Sequence, residues 1–401
     1  PSSSISCFSK GGVVSSSTDG CCEYETINEA ERNAFLYLYR NMMPLDKPNA
    51  GTLGFSTEAK EALLLQHDKI YVTNDVAPTQ SVRKAYSASS SSSSSSSSLD
   101  ELLPDGLSDH IINHTISLSF QAKQSYPSYT AAIPRPIYLE YVFNYANVNE
   151  ARTNIKPLLH QYLYPVISSL IEENNKVNKV TTMNDVVIRI NQQLWKLLGR
   201  YYPIATTENV EIPLPPPPSP SFQLQPIYFK SGQTPLIYDP MSVISYGYAS
   251  CTGISILFVY ALRTFGIPAR IAGTPAWNGV VEHGNHNWVE VYDVSTQSWT
   301  FMEPTPGSKI TSSVNTEKNN NNKEELRDVD HMEKDPCSRW FCNSNRMDGK
   351  TRVYAARFER QHHGDGNDDS TLYYPMAWDI TNRNVQGEDR TDYYTSICSL
   401  C

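Results

Sequence analysis

The sequence predicts an α+β protein in which a helix with a cysteine at its amino-terminal end packs on an antiparallel sheet, after a mostly helical amino-terminal region. Three observations predict this class. An apolar run over residues 252–265 has the length of a helix and is followed by a Gly and a Pro that end it. A short strand-like run at 269–273 follows, and then two runs with a period of two, at 284–293 and 299–304. Helical periodicity recurs before residue 210.

Composition restricts the classes of partner. The chain has 401 residues, of which 39% are apolar, enough for one large domain or two modest ones. With 33 basic and 42 acidic residues the net charge is −9, which argues against nucleic acid as the main partner. No run of eighteen apolar residues predicts a membrane span. Eight scattered cysteines do not form the pattern of a disulfide scaffold, so a cytoplasmic location is favoured.

Tracts of low complexity divide the chain. We expect a disordered lead-in at 1–24, a mostly helical region at 25–210 with a Ser-rich insertion at 86–100, a catalytic core at 221–310, a polar insertion at 311–336 and carboxy-terminal strands at 337–401 that complete the domain. Strand-like runs at 352–358 and 373–380 lie in the last of these segments. Serine and asparagine tracts cannot bury apolar surface, so each is expected to lie outside the fold.

Helical periodicity in the amino-terminal half is present at 25–67, 136–145, 157–171 and 183–198. The last of these helices carries apolar residues on one face: Val187, Ile190, Leu194, Leu197 and Leu198. A proline-rich loop at 214–220, expected to be extended, separates this half from the α+β half.

Cys251 lies at or just before the start of the helix predicted at 252–265, with Ser250 or Thr252 as its N-cap. A helix start or a neighbouring imidazolium lowers the pKa of a thiol from about 8.5 to roughly 3.5–7.5, which favours the nucleophilic thiolate. Backbone N–H groups at the same place could form an oxyanion hole. An isolated cysteine on a helix is more often a small buried residue, so Cys251 depends on its downstream partners for a catalytic interpretation.

His286 begins the strand predicted at 284–293 and could point at the helix start. Glu303 ends the antiparallel partner strand and so comes back beside His286, where a carboxylate can orient the imidazole. Strand parity places Val289 and Val291 on one face of a half-buried strand and His286 on the other. Two alternatives remain open: His283 as the base and Asp293 as the acid.

The order and spacing of four motifs resemble the transglutaminase-like superfamily, whose catalytic core is papain-like. The motifs are Ser-Cys251-Thr-Gly, Gly-Ile-Pro-Ala-Arg, His286-x-Trp-Val-Glu-Val-Tyr and Trp299-x-Phe-x-Glu303-Pro. The resemblance is strongest over 228–306 and weaker on both sides, where it points to bacterial-type transglutaminase-like domain proteins. It implies Cys251 as nucleophile and His286 as base. Many members of the superfamily have Asp where this chain has Glu303.

Further candidates are less specific. Gln233, upstream of the nucleophile, is an oxyanion candidate or an exposed turn residue. Trp277 and Trp288 could line an acyl cleft or serve only in packing. Two cysteine pairs, Cys337-x₄-Cys342 and Cys398-x₂-Cys401, have the form of zinc ligands, but they lie far apart and the first is loosely spaced. No metal or other cofactor is therefore predicted.

The predicted function is cysteine-dependent acyl transfer or amide hydrolysis on a protein or peptide substrate, through a thioester that water or an amine acceptor resolves. A catalytically silent interaction module is the alternative from another class. Peptide N-glycanases share the core, but they carry paired zinc cysteines upstream of the nucleophile. Here no cysteine lies between Cys22 and Cys251, which disfavours that family.

Overall fold

A computed structural model describes residues 12–15, 23–42, 46, 53, 111–203, 222–232, 236–307, 336–338, 342, 346–347, 349–359 and 388–398. Several predicted features lie outside these ranges: the insertion at 86–100, the proline-rich loop at 214–220, Gln233, nearly all of the insertion at 311–336, and a strand-like run at 373–380.

The first described segment is a hairpin. Strand β1 (Gly12–Ser15) pairs with β2 (Glu23–Thr26) in an antiparallel ladder that joins Gly12 to Thr26, and helix α1 (Ile27–Arg40) follows directly. We expected a disordered lead-in here, and these two strands depart from that expectation. Two consecutive valines in β1 give it β-propensity that the surrounding serines obscure.

A layer of helices forms the amino-terminal half. After α1 come α2 (Ile111–Ser125), α3 (Pro127–Thr130), α4 (Arg135–Tyr141), α5 (Lys156–Lys176) and α6 (Met183–Leu197). The periodicity predicted α4, α5 and α6 but not α2. The buried face of α2 includes Thr115 and Ser119, so a hydrophobic pattern alone does not indicate it.

Helix α6 begins at a capping box. The hydroxyl of Thr182 accepts a hydrogen bond from the backbone N–H of Asp185 at 3.2 Å, and the Asp185 carboxylate accepts one from the backbone N–H of Thr182 at 2.9 Å. Two otherwise unpaired N–H groups are thereby satisfied. The box sets where α6 starts and therefore which of its residues face the core.

Two short sheets lead into the central helix. Strand β3 (Arg200–Pro203) pairs antiparallel with β4 (Phe222–Gln225), and β5 (Tyr228–Phe229) pairs parallel with β6 (Tyr248–Ala249). Helix α7 (Pro240–Tyr246) lies between β5 and β6. The chain reverses direction at the carboxy-terminal end of α7 through Gly247, whose φ of +74° is a left-handed conformation that glycine adopts without steric strain.

Helix α8 (Cys251–Thr264) is central, and every residue from Thr252 to Thr264 is buried. It packs on the sheet described next on one side and on α2, α5 and α6 on the other. A helix enclosed by other elements needs apolar residues around its whole circumference, which explains why the sequence shows a continuous apolar run there.

The main sheet is antiparallel and has five described strands: β7 (Ala269–Thr274), β8 (His286–Asp293), β9 (Ser298–Met302), β10 (Tyr354–Ala355) and β11 (Glu388–Asp389). Their order is β11-β10-β7-β8-β9. The sequence predicted strands at the positions of β7, β8 and β9. The strand expected at 352–358 is only two residues long, and a helix not predicted, α9 (Thr391–Ile397), follows β11.

Both faces of β8 are buried, so the expectation of a half-buried strand was wrong. Val289 and Val291 face the helical layer, where they join the core of α8. Trp288 faces the opposite side and packs with Tyr394 of α9. The carboxy-terminal segment therefore covers the face that period-two alternation assigned to solvent. In the part of the chain that the structure describes, no helix has the length and apolar character needed to cross a membrane.

Candidate active site

Cys251 is the first residue of α8 and is partly exposed. Ser250 occupies the N-cap position with extended backbone angles (φ −70°, ψ 176°), but its side chain makes no capping hydrogen bond. Thr252 does not cap the helix either, because its hydroxyl donates to Oδ1 of Asn287 at 2.9 Å. The first N–H groups of α8 therefore receive no side-chain acceptor from the N-cap residue.

Gly253 allows the start of α8 to approach the preceding chain closely. A Cβ at this position would lie 2.4 Å from the carbonyl oxygen of Ile237 and 2.7 Å from Cβ of Ala249. Contacts this short are not tolerated between non-bonded atoms. Gly253 therefore allows α8, which begins at Cys251, to lie directly against the segment before α7.

Hydrogen bonds join the beginning of β8 to the first turns of α8. Besides the bond from Thr252, the hydroxyl of Ser255 donates to the carbonyl oxygen of Asn287 at 3.4 Å. His286, the residue before Asn287, lies beside Cys251 and shares a hydrogen bond with it. The backbone of Asn287 also hydrogen-bonds to the thiol. The thiol and the imidazole, which are far apart in sequence, therefore meet at the junction of helix and strand.

Glu303 follows β9 and lies on the other side of the imidazole. Its Oε1 is 3.2 Å from Nε2 of His286, and each of the two side chains is 15% exposed. The second carboxylate oxygen, Oε2, is buried and has no hydrogen-bond partner among the described residues. The carboxylate orients the imidazole by contacting Nε2, so Nδ1 is the ring nitrogen that faces Cys251.

Mutual electrostatics shift both pKa values. Burial lowers the pKa of His286, but the charge of Glu303 and the hydrogen bond to Cys251 outweigh burial and raise it to about 10. Burial raises the pKa of Cys251, but the hydrogen bond and charge of His286 outweigh burial and lower it below its usual range. Opposite shifts of this kind favour a thiolate–imidazolium pair at neutral pH.

Residues 222–304 match the family model described as the transglutaminase-like superfamily. This segment belongs to that superfamily. The match runs from β4 to the residue after Glu303 and includes Cys251 and His286. No curated protein and no solved structure matches the chain. The transglutaminase-like core has the general fold of cysteine proteases, and the superfamily generally contains cysteine enzymes.

Asn191 of α6, which the sequence analysis did not single out, contacts the transglutaminase-like core next to Glu303. Its Oδ1 accepts from the backbone N–H of Thr305 at 3.0 Å, and its Nδ2 lies 3.5 Å from the carbonyl oxygen of Glu303. The indole N–H of Trp195 also donates to Oδ1 at 3.3 Å. Asn191 thus contacts the backbone on both sides of Pro304. A buried asparagine on an otherwise apolar helix face was the available signal.

The two tryptophans proposed for a substrate cleft are both buried. Trp288 has no exposed surface and donates its indole N–H to the Tyr394 hydroxyl at 2.7 Å, so it packs in the core and cannot line a cleft. Trp277 is 3% exposed and borders a pocket of about 360 Å³ with Asn278, His283 and Arg346.

The fallback residues lie away from the thiol–imidazole contact. Asp293 is at the opposite end of β8 from His286, and its Oδ1 accepts from the backbone N–H and the hydroxyl of Ser295 at 2.9 and 2.6 Å. His283 lies in an exposed 3₁₀ turn and borders the pocket at Trp277.

Tyr238, before α7, lies close to the thiol and was also not singled out from the sequence. Burial and then the negative charge of Cys251 raise the pKa of its phenol. A phenol that stays protonated beside a thiolate can act as a hydrogen-bond donor there.

Proposed function

We propose that the protein is an enzyme that uses Cys251, His286 and Glu303 for acyl transfer or hydrolysis at amide groups of protein or peptide substrates. The observation that carries the proposal is the contact chain at the start of α8, in which the thiol meets the imidazole and the imidazole meets Oε1 of Glu303 at 3.2 Å. A nucleophile, a base and an orienting acid in this arrangement support covalent catalysis.

The reaction begins with the thiolate of Cys251 forming a bond to the substrate carbonyl carbon. The resulting oxyanion is stabilised by backbone N–H groups at the start of α8, with the phenol of Tyr238 as a further donor. Imidazolium His286 then gives its proton to the leaving amine as the carbon–nitrogen bond breaks, and a thioester remains on Cys251. Water or a second amine attacks the thioester, His286 accepts the proton of that nucleophile, and the thiolate leaves.

Glu303 acts through His286 in this cycle. Its charge raises the pKa of His286, so the imidazole is protonated before the attack and ready to act as an acid. The carboxylate also fixes which ring nitrogen faces the thiol.

The identity of the acyl acceptor is tested by supplying a protein mixture with and without a fluorescent primary amine. Amine incorporation into glutamine side chains would assign transamidation. Conversion of glutamine to glutamate without incorporation would assign deamidation, and new peptide termini would assign proteolysis. The Cys251→Ala variant is the matched control in each case.

A silent interaction module is separated from an enzyme by thiol labelling. We expect a chloroacetamide probe to modify Cys251 at least about tenfold faster than a free thiol at the same pH, because the low pKa makes the thiolate abundant. Labelling of Cys251 no faster than free cysteine, together with no turnover in any of the three assays, would reject the proposed function.

A further inference from the structure

Asn287 contacts the start of α8 through its side chain and through both of its backbone polar groups. Its Oδ1 accepts from the hydroxyl of Thr252 at 2.9 Å, and its carbonyl oxygen accepts from the hydroxyl of Ser255 at 3.4 Å. Its backbone N–H donates to the thiol of Cys251. Cys251 and Ser255 are four residues apart in α8, so they lie on the same side of the helix. These contacts join a single residue of β8 to the first turns of α8.

The hydrogen-bonding pattern of the sheet explains why the backbone of Asn287 faces the helix. In an antiparallel strand, the backbone groups of successive residues point to opposite neighbours. The N–H of Tyr292 donates to the carbonyl oxygen of Pro268 on the β7 side, so the backbone groups of Asn287 point to the β9 side. The pairing of β8 with β9 reaches only as far as Val289, opposite Met302. Beyond that pair, α8 takes the place of a strand as the hydrogen-bonding partner of Asn287.

The side chain of Asn287 lies in a space that Gly273 leaves open. Gly273 pairs with Asn287 across β7 and β8, and a Cβ on Gly273 would lie 2.2 Å from Nδ2 of Asn287. Nδ2 donates to the carbonyl oxygen of Ala272 at 3.5 Å. Asn287 is 1% exposed and Thr252 is 4% exposed, so the hydrogen bond between their side chains is shielded from water. A buried amide that is bonded at both ends has one orientation, and it fixes the backbone to which it is attached.

We propose that Asn287 is a positioning residue, whose side chain holds its own backbone N–H against the sulfur of Cys251. This role rests on the proposed function, because it concerns the thiolate that attacks the substrate. A hydrogen-bond donor favours the charged form of its acceptor, so the N–H stabilises the thiolate over the thiol. An amide N–H does not titrate, so this contribution stays constant over the pH range in which His286 changes its charge.

The other groups that act on the thiol are separate from the side chains of Asn287 and Thr252. Burial raises the pKa of Cys251, the hydrogen bond and charge of His286 lower it, and the charge of Glu303 raises it. Tyr238 also lies close to the thiol. Substitutions at Asn287 or Thr252 leave these groups in the chain. A change in the pKa of Cys251 in such a variant therefore reports the contribution of Asn287.

The pH dependence of alkylation measures the thiolate in the full chain and needs no substrate. The rate at which chloroacetamide modifies Cys251 follows the thiolate fraction, so the midpoint of the rate profile gives the pKa of Cys251. Asn287→Ala should move this midpoint to higher pH. At a pH below the wild-type midpoint, alkylation should be slower by at least about threefold, whereas the plateau at high pH should change little.

A matched pair of substitutions at Thr252 separates positioning from packing. Thr252→Val keeps the shape of the side chain but removes the hydroxyl that Oδ1 of Asn287 accepts from, so the midpoint should move in the same direction. Thr252→Ser keeps the hydroxyl and should keep the wild-type midpoint. This pair decides the question even where Asn287→Ala fails to fold.

Thr264→Val is the control for loss of a buried hydroxyl in the same helix. The hydroxyl of Thr264 donates to the carbonyl oxygen of Tyr260 at 2.8 Å, at the other end of α8 from the thiol. Its removal should leave the alkylation midpoint unchanged. The unfolding midpoint of every variant is measured in parallel, since a purely structural role would lower stability without moving the pKa of Cys251.

Two results would overturn the role of Asn287. One is an unchanged alkylation midpoint in Asn287→Ala and in Thr252→Val. The other is a shift in Thr252→Val that Thr252→Ser or Thr264→Val reproduces in full. Both results leave the proposed function standing, because the wild-type labelling rate and the turnover assays test that function. A wild-type midpoint equal to that of a free thiol would instead remove the stabilised thiolate on which both proposals depend.

Discussion

The two faces of strand β8 are buried by different chemistry. On the face toward α8, Val289 and Val291 pack among aliphatic and aromatic side chains. On the face toward α9, Glu290 is completely buried and bonds to two arginines, with Arg270 at 2.8 Å and Arg390 at 3.0 Å. A substitution that removes apolar atoms destabilises the fold roughly in proportion to the number of atoms removed. A substitution that leaves a buried charge without its partner destabilises the fold much more.

The polar face is a connected network. The hydroxyl of Tyr394 donates to Glu290 at 2.9 Å, and Arg270 also bonds to Glu388 at 2.6 Å. The guanidinium of Arg270 lies 4.1 Å from the ring centre of Trp299. Strands β7, β8 and β11 and helix α9 are therefore linked through a few charged groups, whereas the described residues that pack on Val289 and Val291 are mostly apolar. The proposed catalytic residues lie at the amino-terminal end of β8, which begins with His286.

The largest expected effect is a loss of activity at the proposed catalytic residues beside the end of β8, rather than a loss of stability from either of its faces. Cys251→Ala should lower kcat by on the order of 10⁴–10⁶, because no other group can form the thioester. The fold should remain, since a small residue replaces a small one. Turnover with each substrate class and the unfolding midpoint are the measurements. Activity equal to that of the wild type would make Cys251 a packing residue.

Replacement of the acid should have the next largest effect. Glu303→Gln keeps the size of the side chain and removes its charge, and by analogy with serine triads the loss in kcat could reach roughly 10⁴-fold. Glu303→Asp should keep more activity than Gln. If both variants behave like the wild type, Glu303 does not orient His286.

The role of Glu303 also predicts the direction in which the pH profile of activity shifts when its charge is removed. The thiolate–imidazolium form exists between the pKa of Cys251, which is lowered, and that of His286, which is about 10. In Glu303→Gln the charge that raises the pKa of His286 is absent, so the alkaline limb of kcat/KM should move to lower pH. The stability that Glu303 contributes through His286 is fully present below the ordinary histidine pKa of about 6.5 and is lost as pH rises through about 10.

The two faces of β8 are compared directly by one substitution on each. Glu290→Gln should cost about 3–5 kcal/mol of unfolding free energy, because it removes the charge that the buried Arg270 and the partly buried Arg390 share. Val291→Ala should cost about 2 kcal/mol, from the lost apolar area and a small cavity.

Denaturant unfolding of both variants measures the difference. A smaller loss for Glu290→Gln than for Val291→Ala would show that the network contributes little beyond packing, and the contrast between the faces would fail.

The smallest expected effect concerns the backbone around Glu303. Asn191→Leu removes the acceptor for the N–H of Thr305, and we expect kcat to fall by roughly tenfold with little change in KM, because the carboxylate loses its position. Asn191→Asp keeps that acceptor and should retain more activity. Equal losses in kcat and in stability for both variants would assign Asn191 a purely structural role.

Local signals accounted for much of the fold. The bounds of α5, α6, α8, β7 and β8 lie close to the expected ranges, because periodicity, a cap, or a terminating Gly or Pro marks each of these elements in the sequence. The superfamily and the α+β class were confirmed on the same basis, since the motifs lie within the matched segment. The domain boundaries and the catalytic roles remain predictions.

What the sequence could not predict depended on contacts between distant segments. Helix α9 is short and polar, so nothing local showed that it would cover the second face of β8. Asn191 resembled an ordinary interruption of an apolar face until its contact with Thr305, across more than a hundred residues, was known.

By itself the sequence determined the helices and strands around Cys251, the superfamily of the segment 222–304, and the candidate trio of Cys251, His286 and Glu303. Helical and strand periods, together with motif spacing, are properties of neighbouring residues. Tertiary structure alone decided that both faces of β8 are buried, that Trp288 packs rather than lines a cleft, and that the sulfur atoms of Cys337, Cys342 and Cys398 lie within 4.8 Å of one another. These depend on long-range pairing, which is set by the burial of the whole chain rather than by any local pattern.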